Sequence, residues 1–263
     1  PMMPGASDAD YSSLETVLYG ASPITEEVLV ASMALLKSPH CQVYGLTETT
    51  GAITLLLPED HDPGGPKANL LRSAGKAVPG VSLRIVDEDG NALPDGEIGE
   101  IWCHSVQNLK AYWRNPEATS DAFPEGRDTE GLGWFATGDA GYLEDGYLFI
   151  RDRVKDMIVS GGENVYPAEV ENALMSHPDV ADCAVIGVPS DRWGETVKAI
   201  ITPAEGTDPA DEDLIAYCQE RLAKFKCPTS VDRIEVIPRN PSGKVLKTEL
   251  RKPYWAGRDR AVN

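Results

Sequence analysis

Long apolar runs are absent from these 263 residues, so no segment reads as a bilayer-crossing helix, and no basic-then-apolar leader opens the chain. Cysteine is scarce and scattered. Cys41, Cys103, Cys183, Cys218 and Cys227 form no CxxC pair, which argues against a zinc site and a disulfide framework. Thiols in a reducing compartment fit this usage, and the expected location is cytoplasmic. Positive charge is also in deficit: 24 Lys and Arg face 42 Asp and Glu, for a net charge of −18. That balance excludes nucleic acid and anionic membranes as general partners. The deficit reverses locally, because from Arg221 onward 11 basic residues meet 4 acidic ones. A basic stretch in an acidic protein offers a landing area for a phosphorylated ligand, although a solvated helix and tail has the same composition.

What is present is globular: 41% apolar and 25% charged, with room for one large or two ordinary domains. Thr16–Tyr19 is a short β-prone run leading into Gly20-Ala21-Ser22-Pro23. Thr25 can cap a helix over Glu26–Lys37 with Val28, Ala31, Leu35 and Leu36 on one face, and Gln42–Tyr44 is a further strand. Strand, helix, strand predicts the edge of a parallel α/β sheet. From Gly75 to Ser105 the pattern turns to β, with alternation over Val81–Asp87, a Glu88-Asp89-Gly90-Asn91 turn and a strand over Glu97–Cys103. Short strands and Pro/Gly/Asp turns predict a small β-barrel-like subdomain. Asn115-Pro116 starts a short helix. Ala140–Leu143 and Tyr147–Arg151 flank Glu144-Asp145-Gly146, a hairpin signal. The remainder reads α+β: a helix from Tyr166-Pro167, strands at Val180–Val188 and Thr196–Thr202, and a helix capped by Asp208-Pro209-Ala210-Asp211. That helix carries Leu214, Ile215, Cys218 and Leu222 on one face, and a last strand holds Ile234 and Val236.

Several residues carry chemistry. In Tyr44-Gly45-Leu46-Thr47-Glu48-Thr49-Thr50-Gly51 a hydroxyl and a carboxylate share a strand end. Thr47 can donate to an anionic oxygen, and Glu48 is a hard oxygen ligand for magnesium beside a phosphate. A capped turn is the plain alternative. Asp139, after Gly138, presents a carboxylate that can accept from both hydroxyls of a ribose, with Arg153 adding donors; an ion pair pinning the hairpin is the alternative. Arg153-Val154-Lys155-Asp156 reads as a charged joint before the Ser160-Gly161-Gly162 bend. Lys244 beside Gly243 is a movable point charge suited to phosphate, or a solvated turn lysine. Asp62–Lys67 lacks the hydroxyls and helix of a phosphate loop and reads as surface, and His104 as a packing or surface histidine.

The stretch from Thr137 to Asn164, TGDAGYLEDGYLFIRDRVKDMIVSGGEN, resembles the seam between the large and small domains of the adenylate-forming superfamily. Its members are acyl-CoA synthetases, luciferases and peptide-synthetase adenylation domains. The Tyr44-Gly45-x-Thr47-Glu48 string is similar to that family's signature, and the likeness extends over essentially the whole chain. The resemblance implies α/β plus α+β architecture: the C-terminal part of a large domain over 1–154 (α/β over 1–72, β-rich over 73–154), then a mobile small domain over 155–263. It implies that Gly20, Ala21, Ser22, Tyr44, Gly45, Thr47, Asp139, Ile150, Arg153 and Lys244 bind ATP or AMP, with Tyr44 stacked on the base. Lys244, Thr47 and Glu48 would serve catalysis, Glu48 would hold Mg²⁺, and Lys155 would be the hinge. Ser160, Gly161, Gly162 and Glu163 would line the path of coenzyme A, because Ser160–Asn164 is similar to the acyl-CoA synthetase version of that segment. Amino-acid-activating relatives usually show Arg-Gly there. The expected acid is a medium- or long-chain fatty acid, with an aryl or polycyclic acid as alternative, since Thr50, Gly51 and Ala52 leave space for a chain or ring. The family's phosphate loop, rich in Gly, Ser and Thr and ending in Pro-Lys-Gly, does not occur in this sequence. The expectation is therefore the C-terminal half of a longer enzyme, with a homodimer allowed and a non-catalytic nucleotide- or CoA-binding module as the alternative class.

Overall fold

Thr25 precedes two acids and a run of helix formers, and it caps the helix this pattern calls for. Its hydroxyl accepts from Val28 N at 3.4 Å, and Lys37 ends the helix in the left-handed region at φ 51°. The computed structural model, which describes residues 5–21, 24–241 and 243–257, places this helix, α1 (Glu26–Leu36), between β1 (Val17–Gly20) and β2 (His40–Leu46). The two strands are parallel, with Gly20 opposite Val43. The inward face of α1 differs from the expected one: Leu29 is fully buried while Val28 is 53% exposed. Leu29 turns inward with Met33, Leu35 and Leu36 half-buried, so Leu35 and Leu36 of the expected stripe keep their place while Val28 and Ala31 face outward.

Beyond β2 the sheet becomes antiparallel. Only Thr47–Thr50 separate β2 from β3 (Gly51–Leu56), too few residues for the crossover that a parallel neighbour needs. β4 (Lys76–Ala77) completes the order β1-β2-β3-β4. A second sheet is a meander of β5 (Ser82–Val86), β6 (Gly99–His104), β7 (Trp134–Glu144) and β8 (Tyr147–Arg153). It is open, with β5 and β8 as its edges, so the barrel-like expectation is met by a four-stranded sheet without closure among the described residues. α2 (Pro116–Asp121), capped by Asn115 Oδ1 accepting from Ala118 N at 3.1 Å, lies in the β6–β7 connection. The β7–β8 turn uses Asp145 at φ 51° and Gly146 at φ 78°, the two left-handed positions of a tight hairpin. Leu148 of β8 exchanges backbone hydrogen bonds with Ala74 and Gly75, beside a core cluster of Ala74, Ile85, Ile101 and Leu148.

The chain divides into two compact units, Pro1–Ile150 and Arg151–Asn263. In the second, β9 (Ile158–Ser160) and β10 (Glu163–Val165) make a short hairpin followed by α3 (Pro167–Met175). β11 (Val180–Ser190) and β12 (Gly194–Pro203) form a long one. α4 (Asp211–Gln219) then leads to β13 (Ser230–Arg233), which runs parallel to β12 over Lys198–Ile201. Alternation along β11 and β12 buries both faces of this sheet. Cys183, Val185, Val197, Ala199 and Ile201 pack with Val170, Leu174, Leu214 and Cys218 of α3 and α4. Ala184, Ile186 and Ile200 pack with Ile237 and Leu250, the latter on α5 (Lys247–Arg251). Trp255 Nε1 donates to Gly187 O at 3.0 Å, and the Tyr254 hydroxyl donates to Asp232, with burial pushing that phenol up to about 12.

Two details differ from expectation. The last strand ends at Arg233, so Ile234 and Val236 lie beyond it and Val236 is 76% exposed, while Ile237 takes the buried position. The N-cap of α4 is Ala210, with no side-chain bond, because Arg233 engages Asp208 at 3.3 Å and Asp211 at 2.7 Å. Leu214→Ala should therefore cost about 2–5 kcal/mol of stability, and Val236→Ala close to nothing, in urea unfolding of the protein. Equal midpoints for the two variants would contradict this packing.

Candidate active site

In the first unit the carboxyl ends of two neighbouring parallel strands lie side by side, the place where open α/β sheets receive ligands. β1 ends at Gly20 and Ala21; Ser22 lies outside the described residues. A side chain has no room at two of these positions: a Cβ on Gly20 would stand 2.1 Å from Val43 O, and one on Gly45 1.9 Å from Gly51 O. β2 delivers Tyr44 and Gly45, then passes into a single helical turn at Thr47–Thr49. The buried Thr49 hydroxyl holds that turn, accepting from Leu46 N at 3.0 Å and standing 2.9 Å from Gly51 O. Thr47 is left exposed and Glu48 half-buried.

Asp139 reaches the same place from β7. It is only 7% exposed, and its Oδ2 accepts from the Tyr44 hydroxyl at 2.7 Å, across 95 positions of sequence. Its backbone is fixed from below, where Asp139 N donates to Thr137 Oγ1 at 3.1 Å and that hydroxyl donates to Ile101 O at 2.7 Å. Gly138 N donates to Glu100 Oε1 at 3.0 Å. Ile150 and Tyr44 border the same apolar cluster. Thus the structure gathers Gly20, Ala21, Tyr44, Gly45, Thr47, Glu48, Asp139 and Ile150 within the first unit.

Arg153, Lys155, Ser160–Glu163 and Lys244 belong to the second unit. Lys155 sits in the helical turn Val154–Asp156, whose flanks are tied by charge. Asp152 Oδ2 accepts from Ala168 N of α3 at 2.7 Å and faces Lys247 Nζ at 4.0 Å. Lys247 pairs with Glu171 at 2.9 Å, and Arg251 with Asp156 at 2.6 Å. Burial pushes the Glu171 carboxyl up; at Lys247 burial works against the charge, but Glu171 and Asp152 outweigh it and hold the ammonium above its ordinary value. Gly161 and Gly162 form the β9–β10 turn at φ 63° and 86°. Gly161 N donates to Trp193 O at 3.0 Å, and a Cβ on Gly161 would meet the Trp193 ring at 2.7 Å. Arg192 lies over that ring at 4.4 Å. Lys244 is exposed on a closed turn rather than a loose loop: Asn240 N donates to Lys244 O, and Lys244 N to Asn240 Oδ1, each at 2.9 Å.

A family model described as AMP-binding enzyme matches residues 2–113, and one described as AMP-binding enzyme C-terminal domain matches residues 169–244. The chain belongs to the adenylate-forming superfamily of AMP-binding enzymes. It is 44% identical over 261 residues to the fatty acid–[acyl-carrier-protein] ligase ScoC of Streptomyces coeruleorubidus, covering 99% of this chain and 48% of that protein. It is 42% identical over 255 residues to the long-chain-fatty-acid–CoA ligase FadD13 of Mycobacterium tuberculosis, covering 97% and 48%. A solved structure of the amide bond synthetase McbA from Marinactinospora thermotolerans matches with a TM-score of 0.82 and 35% identity, over 96% of this chain and 50% of that one. The chain spans about half the length of the curated relatives it matches.

Sequence reasoning missed the Tyr112 hydroxyl that meets Glu48, the Tyr44–Asp139 bond, and the indole of Trp193 against Gly161. Only Trp193 left a trace, as a large aromatic beside a turn glycine. Because a buried carboxylate loses its phenolic donor, Tyr44→Phe should cost about 1.5–3 kcal/mol, the scale for hydrogen bonds to charged groups. Calorimetric unfolding would read this, and an unchanged transition would show that the bond contributes nothing.

Proposed function

We propose that the protein to which this chain contributes activates a carboxylic acid with ATP and transfers the acyl group to coenzyme A. The observation that carries the reading is Asp139, a buried carboxylate held by Tyr44 beside two backbone-lined strand ends, with Glu48 on the next turn. A ribose with two adjacent hydroxyls suits that carboxylate. Gly20, Ala21 and Ser22 would run along the adenine, Tyr44 and Ile150 would border the nucleoside, and Arg153 would add donors to the ribose.

A carboxylate oxygen of the acid attacks the α-phosphorus, and the bond to pyrophosphate breaks, leaving an acyl-adenylate. Thr47 donates to the α-phosphate, and Lys244 meets the charge that builds at phosphorus. Glu48 is a single carboxylate, and the described residues hold no group of three metal-ligating side chains. That donor set fits Mg²⁺, which takes one or two carboxylates with water and substrate phosphate. Bound there, the ion would offset phosphate charge. The thiol sulfur of coenzyme A then attacks the acyl carbon, AMP leaves, and the thiol proton is lost to solvent. Ser160, Gly161, Gly162 and Glu163 would border the thiol arm, and Lys155 would be the pivot between domains spanning 1–154 and 155–263.

ScoC is named for an acyl-carrier-protein acceptor and FadD13 for CoA. The Ser160-Gly161-Gly162-Glu163-Asn164 segment favours CoA here. Both names specify fatty acids, which supports a medium- or long-chain acid for this protein as well.

The test is pyrophosphate exchange across a panel of acids with the full-length protein. Exchange with fatty acids supports the assignment, exchange with aryl acids alone moves the substrate to that class, and none at all favours a nucleotide-binding module. Asp139→Ala should weaken AMP binding by about 1.5–3 kcal/mol in calorimetry. Lys244→Ala should slow adenylate formation at least about 100-fold while sparing thioester formation from supplied acyl-adenylate. Gly162→Leu should do the reverse. Equal damage to both steps by either variant, in single-turnover kinetics, would remove this division of the two steps between Lys244 and Gly162.

A further inference from the structure

The chain between β6 and α2 has no regular structure, yet it is fastened to the Glu48 turn. Leu109 N donates to Glu48 O at 2.6 Å, the Thr50 hydroxyl to Gln107 O at 2.8 Å, and Gln107 Nε2 to Ala52 O at 2.8 Å. A fourth bond reaches the functional group itself: the Tyr112 hydroxyl donates to Glu48 Oε1 at 3.1 Å. Tyr112 is braced in turn. Its ring and Leu109 pack against Ala122, Phe123 and Phe135, its backbone N donates to Thr119 Oγ1 at 3.0 Å, and Arg127 donates to Leu109 O at 2.9 Å.

A glutamate has three rotatable side-chain bonds, and a carboxylate that wanders binds a cation less tightly than one already held. A donor on one carboxylate oxygen restricts the rotation and leaves the other oxygen for the ion, the role that hydrogen-bonded neighbours of metal ligands generally play. Phosphate near Glu48 sharpens the need, because an unbraced carboxylate would be pushed away from like charge until the cation arrives.

We propose that Tyr112 is a positioning residue for Glu48, presetting its carboxylate to receive the magnesium ion that accompanies ATP. The inference rests on the assignment of Glu48 to Mg²⁺ made above. It assigns the Gln107–Tyr112 segment a part in metal affinity that no ligand contact of its own requires.

The experiment compares Tyr112→Phe and Glu48→Gln in the full-length protein. Mn²⁺ binding in the presence of ATP is followed by electron paramagnetic resonance of the free ion, and adenylate formation is measured against Mg²⁺ concentration. Tyr112→Phe should weaken Mn²⁺ binding about 10-fold, the lower end for such neighbours. It should raise the half-saturating Mg²⁺ similarly, with the rate recovering at saturating Mg²⁺. A variant that is less stable but keeps wild-type metal dependence would overturn the proposal and reduce Tyr112 to packing. If Glu48→Gln also leaves metal binding unchanged, the magnesium assignment of Glu48 itself fails. A shift in Glu48→Gln without one in Tyr112→Phe refutes the positioning role alone.

Discussion

The Tyr44–Asp139 hydrogen bond joins the two sheets of the first unit at the point where both offer functional groups. β2 and β7 belong to different sheets, and neither backbone ladder connects them. A phenol donating to a buried carboxylate is stronger than a neutral pair because one partner carries charge, and the surrounding apolar cluster keeps water from competing. The same bond places constraints on the ligand. One oxygen of Asp139 is committed to Tyr44, so a ribose bound as proposed would meet a carboxylate of fixed orientation rather than a rotating one. Thr137 below it and Glu100 beside it hold the backbone that carries the acid, midway along β7 (Trp134–Glu144).

The second unit uses charge differently. Asp152 and Asp156 bracket Lys155 at a spacing of four, and Lys247 and Arg251 answer them at the same spacing on α5. Glu171 adds a third acid, itself satisfied by Val185 N at 2.8 Å. Partly buried charges of this kind contribute little net stability over apolar packing, but removal of one partner strands the others and is costly. Their effect is to fix the geometry of the turn around Lys155. The pivot proposed at Lys155 would need stiff residues around it, since slack on either side would absorb the rotation.

Much of this was legible from residue order, and the failures have identifiable physical causes. Asp139 stands out as a carboxylate after Gly138 and an apolar run; the strand end expected there is in fact the middle of β7, which continues to Glu144. The Glu-Asp-Gly hairpin and the Leu214–Cys218 face follow from turn chemistry and helical period, both local. The face of α1 was misread at Val28 and Ala31, with Leu29 buried instead, because its sequence is apolar on several sides and neighbouring stripes compete. Ile234 and Val236 alternate like a strand, but the paired register with β12 ends at Arg233; Ile234 N still donates to Ile201 O, and Val236 lies beyond. Tyr112 and Glu48 are 64 positions apart, and a pair at such separation leaves no periodic trace. Side-chain hydroxyls that meet across a fold were the part of the site that spacing could not supply.

The sheet of the second unit is covered on one face by α3 and α4 and on the other by α5, with Tyr254 and Trp255 sealing the edge. Its second cover therefore comes from a segment that follows β12 and β13 in chain order. A ribosome adds residues at about 5–20 per second, so for some seconds after β12 emerges Ile186 and Ile200 face water with nothing to bury them. During that interval the hairpin presents a bare apolar surface, and other nascent chains or holding chaperones can meet it first. Once α5 leaves the tunnel, Leu250 closes that face as Arg251 meets Asp156, so burial of the second face and bracing of the Lys155 turn come from one docking event.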